Sequence, residues 1–190
     1  MKKILTSTIA IVAVLAAFTS CNNSGNTSAK SGALSSNVAE KVYVAPGEYD
    51  EFYAFISGGY SGNLTVYGLP SGRMFKEIPV FSQFATSGYG YSEETKPMLN
   101  TSHGFIPWGD SHHPDISQTK GEIDGRFIFI NENNTPRIAK IDLKTFETTE
   151  IIEVPNSAGN HSSSFVTENT EYVVAGTRFS VPIPQRDMPI

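Results

Sequence analysis

Short runs in which apolar and polar residues alternate, separated by turn-forming residues, dominate the chain from residue 41 onward. Residues 51–56 (EFYAFI), 63–69 (NLTVYGL) and 73–81 (RMFKEIPVF) have this pattern, and the glycine-containing segments 57–59 and 70–72 separate them. A period of two residues indicates β-strands, and glycine or proline between the runs indicates tight turns. The pattern therefore predicts antiparallel strands joined by short connections.

Further strand-like runs follow a segment, residues 82–104, that has few apolar runs and reads as a long loop. Residues 126–130 (RFIFI) are almost continuously apolar, which predicts a strand buried on both faces. Residues 137–143 and 148–154 are expected to be the next two strands. A hairpin is expected in addition, and its strands are residues 165–166 and 172–174.

A weak internal repeat links the two halves of this pattern. A shift of 74 residues (138 minus 64) lays residues 64–69 on residues 138–143, and both copies read as strand, turn, strand. Repeated small antiparallel sheets favour a β-propeller, although two unrelated hairpins could share this much similarity. We therefore expect an all-β fold in which residues 41–190 are the N-terminal part of a truncated propeller domain, because residues 181–190 are proline-rich and resemble a connection.

The N-terminal residues have the features of an export signal. Two lysines precede the largely apolar residues 4–18, so residues 1–20 are expected to be a signal peptide. Residues 18–21 (FTSC) resemble a bacterial lipoprotein box, in which Cys21 would carry the lipid; the alternative is an ordinary signal peptide cut near Ser20. Residues 21–40 are rich in Ser, Asn, Gly and Ala and predict a disordered tether. We expect the protein to be a membrane-tethered lipoprotein located in the periplasm or cell envelope.

Composition narrows the function classes. The chain of 190 residues has 14 Lys and Arg against 19 Asp and Glu, a formal net charge of -5, and it contains no basic tract. Nucleic acid is therefore a poor candidate partner. Cys21 is the only cysteine, so no internal disulfide can form.

The candidate chemistry lies in residues 109–114 (GDSHHP), where two histidines are adjacent. Neutral imidazole is the commonest protein ligand for zinc, copper and iron. Neighbouring side chains of a regular strand point to opposite faces, so one site could use both rings only if the backbone is irregular. Pro114 disfavours helix at His113, and we expect a loop. A solvated pair is the alternative, but Asp110 could orient an imidazole.

Four motifs follow one another along the chain: residues 109–114 (GDSHHP), 121–131 (GEIDGRFIFIN), 137–140 (RIAK) and 152–156 (IEVPN), followed by His161. Taken together they resemble the N-terminal part of nitrous-oxide reductase, and the similarity covers residues 51–176. The signal without twin arginines resembles the branch of that family exported by the general secretory route.

The resemblance implies a seven-bladed propeller with a tetracopper–sulfide cluster held by histidines. By motif match, His112 and His113 correspond to the first two ligands, His161 corresponds to the next, and Asp110 corresponds to a carboxylate behind the ligands. The family's other cluster histidines, its calcium site and its cupredoxin domain with a dinuclear copper centre would lie downstream. His103 matches no ligand, Tyr89 and Tyr91 are expected to pack in the loop, and Arg178 is expected at the surface or in an ion pair.

The implied activity is reduction of nitrous oxide to dinitrogen and water in denitrification. The implied partners are an electron donor such as a c-type cytochrome or a cupredoxin, copper-delivery proteins and, at full length, a second copy in a homodimer. The truncated chain alone is expected to be inactive. Two alternatives stay open: a non-catalytic binding module on a surface lipoprotein, and a mononuclear zinc site formed by His112, His113 and a carboxylate.

Overall fold

The computed structural model describes residues 37–155, 157, 159–162 and 164–177. The predicted signal peptide (residues 1–20), Cys21 and Arg178 lie outside the described residues, as does the predicted tether up to residue 36. A short helix, α1 (Asn37–Val42), includes the last four residues of that predicted tether. Within the described residues, no helix has the length and apolar character that crossing a membrane requires.

Two antiparallel sheets are the largest elements of the compact unit that begins at Ala39. The three-stranded sheet contains β1 (Phe52–Ser57), β2 (Asn63–Leu69) and β3 (Met74–Pro79), in that order. The four-stranded sheet is a meander of β6 (Ser111–Thr119), β7 (Glu122–Glu132), β8 (Arg137–Asp142) and β9 (Glu147–Glu153).

Shorter elements complete the described fold. A 3-10 helix (Lys96–Leu99) and the two-stranded pair β4 (Asn100–Thr101) and β5 (Gly104–Phe105) lie between the large sheets in sequence. The strands β10 (Phe165–Val166) and β11 (Val173–Val174) form the predicted last hairpin. The all-β prediction is confirmed, and the antiparallel sheets are consistent with partial propeller blades.

One apolar core joins the two large sheets. Side chains of β2, β3, β7 and β8, and of the two residues that follow β3, pack in it, each excluded from solvent, which stabilises the fold by about 1.5 to 3 kcal/mol per large side chain. They are Leu64, Val66, Ile78, Val80, Phe81, Ile128, Ile130, Ala139 and Ile141. The strand-turn-strand repeat is present as β2–β3 and β8–β9. In the first strand of each copy, however, the buried positions coincide at a shift of 75 residues (139 minus 64), with Leu64 and Val66 matching Ala139 and Ile141, so the sequence alignment of β2 with β8 was one residue out.

The prediction that β7 is buried on both faces is wrong. Ile128 and Ile130 point into the core, whereas Phe127 and Phe129 on the other face are only half-buried. The Lys140 ammonium covers Phe127, with Nζ 4.3 Å from the ring centroid. Long cationic side chains therefore shield the outer face, and this allows an almost continuous apolar run on a partly exposed sheet.

The long segment before β6 is held by its own side chains. Tyr89 is buried and its hydroxyl donates a hydrogen bond to the Val80 carbonyl at 2.7 Å. Tyr89 therefore packs in the loop as predicted. Tyr91 is 58% exposed, so its ring contributes little to packing.

Candidate metal centre

The adjacent histidines lie at the start of β6, not on the predicted loop. The strand is irregular at this point: the register with β7 shifts between His112 and Asp115, and His113 has a positive φ of 43°. Pro114 has no N–H, so it cannot donate to the ladder, which makes this a favourable position for a bulge. The bulge supplies the backbone irregularity that lets two neighbouring imidazoles turn towards one place.

Three histidines converge at this bulge. One ring nitrogen from each of His112, His113 and His161 lies within 4.8 Å of the other two. The ring centroid of His161 lies 4.5 Å from that of His112 and 5.1 Å from that of His113. His112 and His161 are half-buried and His113 is exposed. The structure thus brings together the three histidines that the sequence singled out, and His103 is not part of the group.

Asp110 lies directly behind His112. It is 2% exposed, and its Oδ1 lies 2.8 Å from Nε2 of His112. Asn133 holds the residue by donating from its backbone N to the Asp110 carbonyl at 3.0 Å and from Nδ2 to Oδ2 at 3.1 Å. The Nε2···Oδ1 approach lacks the direction of a formal hydrogen bond, and Oδ1 has no other partner within the described residues. With Nε2 facing the carboxylate, Nδ1 is the ring nitrogen of His112 left for a metal.

A buried polar group at the connection between β7 and β8 was missed by the sequence interpretation. Glu132 and Arg137 are both fully buried and form an ion pair in which Arg137 Nε lies 2.5 Å from Glu132 Oε2. The Thr135 hydroxyl also donates to Glu132 Oε2. Burial raises the pKa of Glu132 above its ordinary value, although the bonds from Arg137 and Thr135 oppose the shift.

Buried side-chain atoms without a hydrogen-bond partner concentrate around this centre. Asn131 lies opposite His112 in the β6–β7 register, and neither atom of its amide has a partner in the described part of the chain. Nδ2 of Asn160, the residue before His161, and Oγ of Ser164 are also unpartnered. A buried polar atom without a hydrogen-bond partner destabilises the folded protein. A concentration of such atoms is therefore typical of a site where a ligand or an ordered water supplies the missing hydrogen bonds.

Comparison with known proteins finds nitrous-oxide reductases of several bacteria among the sequence relatives. No family model matches the chain. The nitrous-oxide reductase of Stutzerimonas stutzeri is 38% identical over 146 residues, which is 76% of this chain and 23% of that protein.

Two further relatives extend the match. The nitrous-oxide reductase of Pseudomonas fluorescens is 38% identical over 90% of this chain and 27% of its own length. The one from Ralstonia nicotianae is 32% identical over 92% of this chain and 30% of its own length. The chain thus spans less than a third of the length of these relatives, and over that span it belongs to the nitrous-oxide reductase family.

Proposed function

We propose that this chain supplies histidine ligands to the copper cluster of a nitrous-oxide reductase, the enzyme that converts nitrous oxide to dinitrogen and water. The observation that carries the proposal is the convergence of His112, His113 and His161 in a chain related to proteins of that name. Relatedness alone would not identify a site, and three histidines alone would not identify a reaction.

The residues present fit copper. The group consists of imidazoles, with no carboxylate or thiolate among its members in the described residues, and imidazole is a good copper ligand. The spacing of the ring nitrogens suits either one ion or neighbouring ions of a cluster. The carboxylate of Asp110 behind His112 matches the common arrangement in which a carboxylate holds the ring nitrogen that does not bind the metal. A zinc site using a carboxylate as ligand fits less well, because Asp110 faces His112 Nε2.

Each residue of the proposed site then has a distinct role. A bound copper cluster would supply electrons to nitrous oxide and a position where it binds. His112, His113 and His161 would hold that cluster. Asp110 Oδ1, which lies 2.8 Å from Nε2 of His112, would favour a proton on that nitrogen and leave Nδ1 to bind the metal. The β6 bulge sets the angle between His112 and His113.

Three imidazoles cannot complete the coordination of four copper ions, so we propose that this chain alone captures copper but does not sustain reduction. The tetracopper–sulfide cluster, the electron donor such as a c-type cytochrome or a cupredoxin, copper-delivery proteins and a homodimer all belong to the proposed function of the longer relatives. Incubation of the chain with copper, sulfide and a reduced dye under nitrous oxide should give no sustained turnover. Sustained turnover would contradict this part of the proposal.

The proposal is tested by copper(I) affinity, measured against a competing chromogenic chelator with the full chain. His112→Ala, His113→Ala and His161→Ala should each weaken binding by more than the roughly 10- to 100-fold that loss of a supporting residue costs. The matched control is His103→Ala, which removes an exposed histidine outside the group and should leave affinity unchanged.

Two results would contradict the proposal. One is equal loss of affinity in His103→Ala and in the three site variants, because binding would then be non-specific. The other is tighter and stoichiometric binding of zinc at the same residues, which would favour the zinc alternative.

We also propose that the protein is a cell-envelope lipoprotein, tethered through Cys21 and located in the periplasm. The support is the sequence: an apolar segment ends at the only cysteine of the chain. The parent should be found in the membrane fraction with a lipid-sized mass increment, and Cys21→Ala should lose both. Identical mass modification and fractionation of parent and variant would contradict the lipid anchor.

A further inference from the structure

The connection between β7 and β8 touches both histidine-bearing segments. On one side, Asn133 binds Asp110 through its backbone N and its side chain. On the other side, the Glu132 carbonyl accepts a hydrogen bond from Asn160 N at 3.0 Å. Asp110 lies two residues before His112, and Asn160 directly precedes His161. One short connection therefore fixes two segments that are far apart in sequence.

The shape of this connection is set by a group of three side chains, the buried Glu132 and Arg137 and the half-buried Thr135. Arg137 and the Thr135 hydroxyl both donate to Oε2 of Glu132, so the bonds run across the turn. Arg137 N also donates to the Thr135 carbonyl at 2.7 Å. Because Glu132 and Arg137 are fully buried, water cannot easily replace these bonds.

Arg137 and Glu132 also reach the segment that leads into β6. Arg137 Nη2 donates to the Trp108 carbonyl at 3.4 Å, and the Arg137 guanidinium lies 5.3 Å from the Phe81 ring centroid. Gly109 packs so closely against Glu132 that a Cβ there would overlap Oε1. The group thus contacts the backbone that leads into the bulge, at Trp108 and Gly109, and it lies next to Asn133, which binds Asp110.

We propose that Glu132, Thr135 and Arg137 are positioning residues that set the distance between the His112–His113 pair and His161. The inference rests on the proposed metal function, because that spacing matters only if the three rings bind together. The ion pair is poor evidence for stability, since apolar side chains of similar volume often replace buried ion pairs without loss. Its hydrogen bonds across the turn have no apolar substitute, so its effect should be seen in the site more than in the free energy of unfolding.

The decisive variant is E132L/R137M in the full chain, kept in detergent because of its apolar N-terminal segment. It removes both charges at similar volume, so its free energy of unfolding should stay near that of the parent. Copper(I) affinity should nevertheless fall by about 10- to 100-fold, the usual cost of losing partners behind metal ligands. Asp50→Asn is the matched control: it alters a buried carboxylate bound by Ser71 and Arg73 in the three-stranded sheet, and it should leave affinity unchanged.

A second measurement needs no metal. In the metal-free chain, ring protons of His112 and His161 should give a nuclear Overhauser cross-peak, because their ring centroids lie 4.5 Å apart. E132L/R137M should lose this cross-peak and Asp50→Asn should keep it. If the double variant does not fold, Thr135→Val decides the matter: it removes only the hydroxyl that binds Glu132 and should weaken the cross-peak and the affinity in the same direction.

The two proposals fail in different ways. Absence of histidine-dependent copper binding in the parent would refute the metal function, and the cross-peak would still test the positioning role. A folded E132L/R137M that keeps the parental cross-peak and affinity would refute the positioning role while leaving the metal function intact. Parental behaviour of Thr135→Val, in the absence of a folded double variant, would refute it equally.

Discussion

The three-stranded and four-stranded sheets share a core but differ in how well their polar groups are satisfied. In the three-stranded sheet, the buried carboxylate of Asp50 is fully bound by Ser71 and Arg73. Of the eight buried side-chain atoms without a partner in the described residues, only Asn63 Oδ1 belongs to that sheet. The other seven lie on the four-stranded sheet or in the segments that contain Asp110, Asn160 and Ser164.

Backbone geometry separates the two sheets in the same way. The four-stranded sheet begins with a bulge and a left-handed histidine, whereas the bulge of the three-stranded sheet, where the pairing of β2 with β3 shifts between Val66 and Tyr67, has no residue with a positive φ. Unsatisfied polar groups and strained backbone are expected to concentrate where function competes with folding. The comparison supports the proposal that the four-stranded sheet carries the paired histidines of the site and that the three-stranded sheet stabilises it.

The largest expected effect comes from adding one methyl group at Gly109. Its Cβ would overlap Glu132 Oε1 and lie 2.5 Å from Phe81 Cβ, and both neighbours are fully buried. Gly109→Ala should therefore lower the free energy of unfolding by about 3 kcal/mol, the upper part of the range for overpacking. The control is Gly72→Ala in the β2–β3 turn, where φ is +70° and no atom lies within 4 Å of the added Cβ.

Gly72→Ala should cost only about 1 kcal/mol, for the left-handed backbone. Urea unfolding of both variants, together with copper(I) affinity, measures the difference. Gly109→Ala should lower both the free energy of unfolding and the copper(I) affinity, whereas Gly72→Ala should lower only the free energy of unfolding. Equal stability losses with unchanged copper binding would erase the distinction between the two sheets.

A smaller effect is expected from Asp110→Asn, which keeps the size of the side chain and removes its charge. The amide attracts the Nε2 proton of His112 less strongly, so the ring is held less firmly with Nδ1 free. Copper(I) affinity should fall by about 10-fold, the low end of the cost for such changes. Asp50→Asn is the control with an equally buried carboxylate. An Asp110→Asn variant with parental affinity would argue against an orienting role.

These expectations also show what the sequence could and could not reveal about the fold. The strand at residues 63–69 was predicted with the observed bounds because its alternating pattern and the flanking turn residues are local signals. The register of the repeat was missed by one residue because Ala139, a small residue, occupies the buried position that Leu64 fills in β2. The exposed side of β7 was missed because the shielding cation, Lys140, comes from another strand.

The site was also predictable only in part, because contacts between different segments determine its geometry. His112, His113, His161 and Asp110 were found through motifs, yet nothing in their spacing gives the bulge that turns the paired rings together. The polar run at residues 131–134 (NENN) is typical of an exposed turn. Glu132 is buried instead because Arg137 binds its carboxylate and Gly109 packs against it, and the contact with Gly109 is not encoded in the local pattern.

The smallest effect is a difference in pH dependence between the two sheets. Burial raises the pKa of Asp50, but hydrogen bonds from Ser71 and Arg73 outweigh burial and leave the pKa below its ordinary value. The stability that ionised Asp50 contributes is therefore fully present above its unfolded pKa, about 3.9, and is lost as pH falls through the folded pKa. The destabilisation caused by Asp50→Asn should shrink as the solution becomes more acidic.

Glu132 should behave in the opposite way. Because burial raises its pKa, ionisation disfavours the folded state, and stability falls as pH rises from the unfolded pKa of about 4.3 towards the raised folded value. The stability difference between parent and Glu132→Gln should therefore shrink as pH rises through that window. Urea unfolding across the acid range tests both slopes, and slopes of the same sign would contradict the assignment.

The most direct test of the central claim is to count the imidazoles around copper. Pulsed electron paramagnetic resonance of the full chain, loaded with one equivalent of copper(II), detects the nitrogens of coordinated imidazole rings. We predict signals from His112, His113 and His161 together: each single alanine variant removes one imidazole, and His103→Ala removes none. A spectrum that is unchanged in His161→Ala would contradict the account, because the three rings would then not form one site.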